Sequence, residues 1–164
     1  MRAHNPIIPS AAKSERYVRL AKEIDAVVEG EDDRIARMAS VAAILSAGCA
    51  TFSWTGFYCV DPGRERELVV GPYQGALGCL RIPFGRGVCG AAAERRETLI
   101  VPDVDAFPGH IACDSRSRSE IVVPVMDASG NLIAVLDVDS TELAAFDRDD
   151  ATGLETIVRR VFGR

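Results

Sequence analysis

No two of the five cysteines are spaced as C-x-x-C. That excludes a zinc ribbon and a thioredoxin-type redox motif, and the odd count argues against a fully paired disulfide framework. No uncharged apolar run approaches the roughly 18 residues that a membrane span needs. The opening stretch MRAHNPIIPSAAKSERY has no apolar core of signal-peptide type. An excess of basic residues is missing too: 19 Lys and Arg stand against 24 Asp and Glu, for a net charge of -5. Nucleic-acid partners are therefore disfavoured, because phosphate binding needs a basic face. The glycine-rich run FGRGVCG lacks both the P-loop lysine and the G-x-G-x-x-G order, so it is a weak phosphate signal. Without an export signal the expected compartment is the reducing cytoplasm, where thiols stay free and disulfides tend to be transient and catalytic.

What is present is enough for one core. The chain has 164 residues, 48% of them hydrophobic. A chain of that length buries about 70% of its unfolded surface. Residues 1–14, with two prolines and few apolar groups, read as a flexible lead-in. A single domain is expected over 15–164. Tyr17, Leu20, Ile24, Val27 and Val28 recur at three- and four-residue steps and predict a helix over 14–29. A second helix is expected from Asp32 to Gly48. Strands are predicted over 54–60 and 67–70, joined by the turn Asp61-Pro62-Gly63. A glycine-rich stretch, 71–90, implies tight turns close to other backbone. A short helix over 88–95, a strand over 98–101, a long polar loop over 102–119, strands over 120–126 and 132–139, and a helix over 147–161 complete the pattern. Loops as long as 102–119 are usually functional. Strands bracketed by terminal helices predict an α+β domain with an antiparallel sheet and helices on one face.

Cys49, at a helix end, and Cys59, among Phe57, Tyr58 and Val60, read as small buried hydrophobes. Cys79, Cys89 and Cys113 sit in glycine-rich or polar loop sequence, where reactive groups are mounted. Cys113 has His110, Arg116 and Arg118 nearby, positive neighbours that lower a thiol pKa, while Asp114 opposes them. Cys89, at the start of a short helix, is placed to feel a positive dipole end. Asp137 and Asp139 lie two apart on a strand and so share a face among apolar neighbours, where a carboxylate is costly unless bonded or functional. Two close, buried carboxylates raise one pKa and keep a proton available near neutrality. Glu120 begins the preceding strand and is placed to join them across the sheet. The plainer reading of all three is a solvated strand end. Trp54 and Tyr58 share a strand face, either as core or as a ligand platform.

Together, S-W-T-G-F-Y (53–58), G-P-Y-Q-G (71–75), C-L-R-I-P-F-G-R-G-V-C-G (79–90), G-H-I-A-C-D (109–114), S-E-I-V-V-P (119–124) and L-D-V-D-S (136–140) resemble the free methionine-(R)-sulfoxide reductases, which are GAF-domain enzymes. The likeness runs from about Glu15 to the C-terminus. It implies a GAF-like, six-stranded antiparallel sheet with the N- and C-terminal helices packed on one face, usually as a homodimer. It also implies that the substrate is free methionine (R)-sulfoxide rather than the protein-bound residue. Cys113 matches the attacking cysteine and Cys79 the resolving one. Cys89 matches a third cysteine able to share the disulfide relay. Glu120, Asp137 and Asp139 match carboxylates around the sulfoxide oxygen and the amino group, and Trp54 and Tyr58 match aromatic pocket walls. Gly78 and Ala76 depart from the family pattern without removing a catalytic group.

The resemblance implies attack by Cys113, a sulfenic acid, a Cys79–Cys113 disulfide and regeneration by a dithiol, with thioredoxin expected. No metal or organic cofactor is expected. Two rivals are a non-catalytic GAF ligand sensor and a metal site built from Cys89, His110, Cys113 and Asp114, whose spacing fits no usual zinc pattern.

Overall fold

A computed structural model describes residues 10–164. Four α-helices and six strands follow the order α1 (Ser10–Val27), α2 (Arg34–Gly48), β1 (Trp54–Val60), β2 (Glu67–Gln74), β3 (Arg81–Pro83), α3 (Gly87–Arg95), β4 (Leu99–Val101), β5 (Ser119–Met126), β6 (Leu132–Ser140) and α4 (Arg148–Phe162). All neighbouring strands are antiparallel, in the order β3-β2-β1-β6-β5-β4. This is the α+β architecture expected. Residues 10–14, assigned in the sequence to the lead-in, are instead the first turn of α1; the rest of that segment lies outside the described residues. β2 runs four residues further than predicted, and β3 is a short strand that the glycine-rich run conceals. Among the described residues no helix is long and apolar enough to cross a membrane.

Strand alternation divides the sheet into two chemically different faces. Phe57, Ile121, Val123, Val125, Ala134, Leu136 and Val138 turn toward α1, α2 and α4 and form the larger core. Tyr58, Val122 and Val135 turn the other way, where Val88, Cys89, Ala92 and Ala93 of α3 cover them. The terminal helices thus share one face, and α3 with the 102–119 segment occupies the other.

The helix layer is tied by a buried carboxylate. Asp150 completes a capping box with Asp147 at the start of α4. It also accepts from the Tyr17 hydroxyl at 2.8 Å and from Lys13 Nζ at 2.6 Å, both on α1. Charge-assisted bonds to a group this deeply buried (1% exposed) lock α1 against α4. Over the opposite face the chain must turn tightly. At Gly90 a Cβ would stand 2.3 Å from the Pro83 carbonyl oxygen, so α3 approaches β3 only with glycine there.

Candidate active site

The strand face beneath α3 carries the acids. β5 and β6 pair so that Glu120 is directly opposite Asp139, and Val122 opposite Asp137. Asp137 and Asp139 therefore emerge beside Glu120, as their two-residue spacing predicts. They are not solvated strand ends: Glu120 is 5% and Asp137 6% exposed. With Cys89, Cys113, His110, Ile111, Asp114 and Ser117 they line a small cleft.

Burial sets the chemistry of the cluster. Glu120 is pushed well above the usual carboxylate range, by desolvation first and then by the charges of Asp137 and Asp139. As a carboxylic acid it donates to Asp137, whose own value is raised to about 6 by burial and held back by that accepted bond and by one from Cys89. Asp139 is raised by burial and by the Asp137 charge, opposed by the Ser117 hydroxyl, which donates to it at 2.6 Å. The site holds its protons near neutrality. One oxygen of Asp137, Oδ1, is buried without a hydrogen-bond partner and remains free to accept from a bound ligand.

Three expectations about local charge are corrected. Cys89 lies inside α3, fully enclosed, with its sulfur 3.9 Å from Glu120 Oε1. Desolvation and three acidic neighbours raise its thiol pKa well above normal, so the helix dipole does not make it a thiolate. His110 Nε2 is 3.8 Å from Glu120 Oε2, but burial lowers its pKa. A neutral imidazole beside a protonated acid is not an ion pair, and it gives Cys113 no cationic neighbour. Arg116 is committed to Asp114 through Nε–Oδ1 at 3.1 Å and Nη2–Oδ2 at 2.9 Å, which cancels its charge.

Cys113 and Cys79 are joined in a disulfide, with Cα atoms 5.2 Å apart and a separation of 34 positions in sequence. Cys113 lines the cleft, and Cys79 sits on the segment connecting β2 to β3. Cys49, Cys59 and Cys89 are free; Cys49 is buried in the helix layer as expected, whereas Cys59 is only half-buried at the core's edge, its sulfur 3.7 Å from that of Met38.

Trp54 and Tyr58 lie on the same sheet face as the acids but are not in the cleft lining. Their rings stack at 5.6 Å, and Tyr73, which the sequence did not single out, also stacks with Trp54, at 5.1 Å. The Trp54 indole N–H donates to the Ala76 carbonyl at 2.9 Å, anchoring the segment before Cys79. That segment lies over the rings: a Cβ at Gly78 would meet the Tyr58 hydroxyl at 3.0 Å and Trp54 Cζ2 at 3.1 Å. In the disulfide-bonded form the aromatic pair is thus a floor beneath the Cys79 segment rather than a pocket wall. Ser117 was also missed, since serine in a polar loop carries no distinguishing signal.

Donor atoms of Cys89, Glu120 and Asp137 all lie within 4.8 Å of one another, close enough to surround a cation. Holding one would require two groups that burial keeps protonated to lose their protons, so the arrangement favours proton storage. The rival set of Cys89, His110, Cys113 and Asp114 is not assembled: the Cys113 sulfur is in the disulfide and Asp114 is spoken for by Arg116.

Comparison with known proteins follows the same lines. The GAF domain profile matches residues 31–161. GAF domain-containing protein A of Dictyostelium discoideum is 49% identical over 152 residues, covering 93% of this chain and 94% of that protein. The free methionine-R-sulfoxide reductase of Escherichia coli is 40% identical over 149 residues, covering 91% and 88% of the two chains. The crystal structure of free methionine-R-sulfoxide reductase from Neisseria meningitidis in complex with its substrate superposes with a TM-score of 0.86 at 48% identity, covering 91% of this chain and 87% of that one.

Proposed function

The chain belongs to the GAF-domain free methionine-R-sulfoxide reductases, a family of oxidoreductases, and on that premise we propose that it reduces free methionine (R)-sulfoxide with Cys113 as nucleophile, Glu120 as acid and Cys79 as resolving thiol. The observation that carries this reading is the Cys79–Cys113 disulfide at a cleft whose opposite wall is a set of buried, proton-holding carboxylates. Sulfoxide reduction needs both: a sulfur nucleophile and a proton for the departing oxygen.

The Cys113 thiolate attacks the sulfoxide sulfur while the Glu120 carboxyl hydrogen-bonds and protonates its oxygen. The S–O bond breaks, methionine leaves, and Cys113 carries the oxygen as a sulfenic acid. Cys79 attacks that sulfur, water departs, and the disulfide forms. A dithiol, thioredoxin in this reading, returns both cysteines to thiols. The electrons come from the cysteines and the external dithiol, with no resident metal or organic cofactor. The unpartnered Oδ1 of Asp137, with Asp139 beside it, accepts from the substrate ammonium by charge-assisted hydrogen bonds. Trp54 and Tyr58 meet the apolar methyl group once the disulfide is reduced and the Cys79 segment is free to shift. A homodimer in the cytoplasm completes the reading, supported by the family resemblance alone.

A ligand sensor has no use for a disulfide opening on stored protons. The deciding experiment is methionine release from separate R and S sulfoxides, free and in a peptide, with thioredoxin supplied. Release from the free R form alone is expected. Release from neither form would end the proposal.

A further inference from the structure

We propose that Leu77 and Leu80, which bracket Cys79, form the docking surface for the dithiol protein that reduces the Cys79–Cys113 disulfide, and that its thiolate attacks Cys79 rather than Cys113. The inference rests on the reductase reading above.

Among the described residues Leu77 and Leu80 are the most exposed large hydrophobics, at 77% and 71%. A solitary exposed leucine needs no explanation. These two lie within three residues of each other with Cys79 of the disulfide between them. Exposed Ala76 on the same segment and exposed Ala112, beside Cys113, extend the apolar character on both sides of the S–S bond. The segment is held at both ends, so its exposure is built in. The Ala76 carbonyl accepts from the Trp54 indole at 2.9 Å, and the Leu80 carbonyl accepts from the Val70 amide at 2.9 Å. The adjacent Arg81 guanidinium is matched by Asp61 at 2.5 Å and Glu67 at 2.9 Å, leaving little unbalanced charge at that edge. Such an apolar edge around a reducible sulfur fits a small protein with two neighbouring thiols and an apolar rim around the reactive one.

Access chooses the sulfur. Cys113 lines the small cleft beneath α3, which is too narrow to admit a protein surface. Cys79 is as half-buried as Cys113 but is absent from that lining and lies on the segment that exposes Leu77 and Leu80. The partner's thiolate forms a bond to the Cys79 sulfur, the Cys79–Cys113 bond breaks, and Cys113 departs as a thiolate into the cleft, ready for the next substrate. The partner's second thiol loses its proton and attacks its own mixed-disulfide sulfur. That releases Cys79, which takes up a proton, and the partner leaves as a disulfide, oxidised by two electrons.

The test is the double variant Leu77→Ser/Leu80→Ser, driven in parallel by thioredoxin and by dithiothreitol. A rise of tenfold or more in the KM for thioredoxin is expected, with the dithiothreitol-driven rate within twofold of the parent. An unchanged KM for thioredoxin, or an equal loss with both reductants, overturns the docking surface. A thioredoxin variant keeping only its attacking cysteine is then mixed with the oxidised protein, and the mixed disulfide is mapped by mass spectrometry. Capture on Cys79 supports the assignment, whereas capture on Cys113 or no capture overturns it. This mapping needs no methionine sulfoxide, so it reads the docking even if the reductase activity were absent.

Discussion

Glu120 faces Asp139 across the β5–β6 ladder and donates its own carboxyl proton sideways to Asp137. Opposed carboxylates in water repel; buried against α3 they share protons instead. In the proposed reaction this is the proton that sulfoxide reduction consumes, held in the cleft that Cys113 also lines.

Replacing Cys113 by serine is expected to abolish methionine formation. Cys79→Ser is expected to release about one methionine per site in a single turnover and then stall. Rapid-quench counting of methionine per site separates the two; sustained thioredoxin-driven turnover by Cys79→Ser is incompatible with Cys79 as the sole resolver.

Cys89 tests the difference between a relay and a hydrogen-bond donor. Its thiol is enclosed and kept protonated beside Glu120. Cys89→Ser is expected to retain the Cys79–Cys113 disulfide and lose less than about tenfold in kcat, since a hydroxyl also donates. If slow residual cycling in Cys79→Ser disappears in the Cys79→Ser/Cys89→Ser double variant, Cys89 is a relay after all.

Glu120→Gln removes the proton and should lower kcat/KM by about 10²–10⁴, the usual worth of general acid catalysis. In the parent, kcat/KM should fall as pH rises and the acid cluster loses its last proton. The variant's profile should lose that alkaline limb, which a pH series on both proteins would read directly.

The same burial has a cost in stability with a definite sign. Asp137 is raised from the ordinary range to about 6, so its favourable contribution is fully present below about pH 4 and is lost as pH rises through about 6. Asp137→Asn should therefore gain stability relative to the parent at pH 8, by up to ~3 kcal/mol, about half of that at pH 5 and little below pH 4. Thermal melts of both proteins across pH 3.5–8 measure the difference, and a constant offset would refute the linkage.

Asp150 is predicted to act on stability alone. Asp150→Ala strands the Tyr17 hydroxyl and Lys13 and removes half the capping box. A loss of about 3 kcal/mol in denaturant unfolding is expected, with kcat/KM of the folded protein unchanged. A fall in kcat/KM matching the loss of stability would show that the α1–α4 clamp also shapes the cleft.

What the sequence determined by itself is what depends on local order. The 3.6-residue steps of Tyr17, Leu20 and Ile24 made a helix, the two-residue step from Asp137 to Asp139 put both acids on one face, and six short motifs in order carried the family. The tertiary structure decided what depends on partners distant in the chain. Only folding brings Cys79 to Cys113 across 34 residues, sets Glu120 against Asp139, and turns His110 and Arg116 away from the roles their closeness to Cys113 suggested. Cys89 shows the reason most plainly. Its place at a helix start argued for a lowered pKa, but desolvation outweighs a dipole end, and desolvation is a property of everything packed around a residue rather than of its neighbours in sequence.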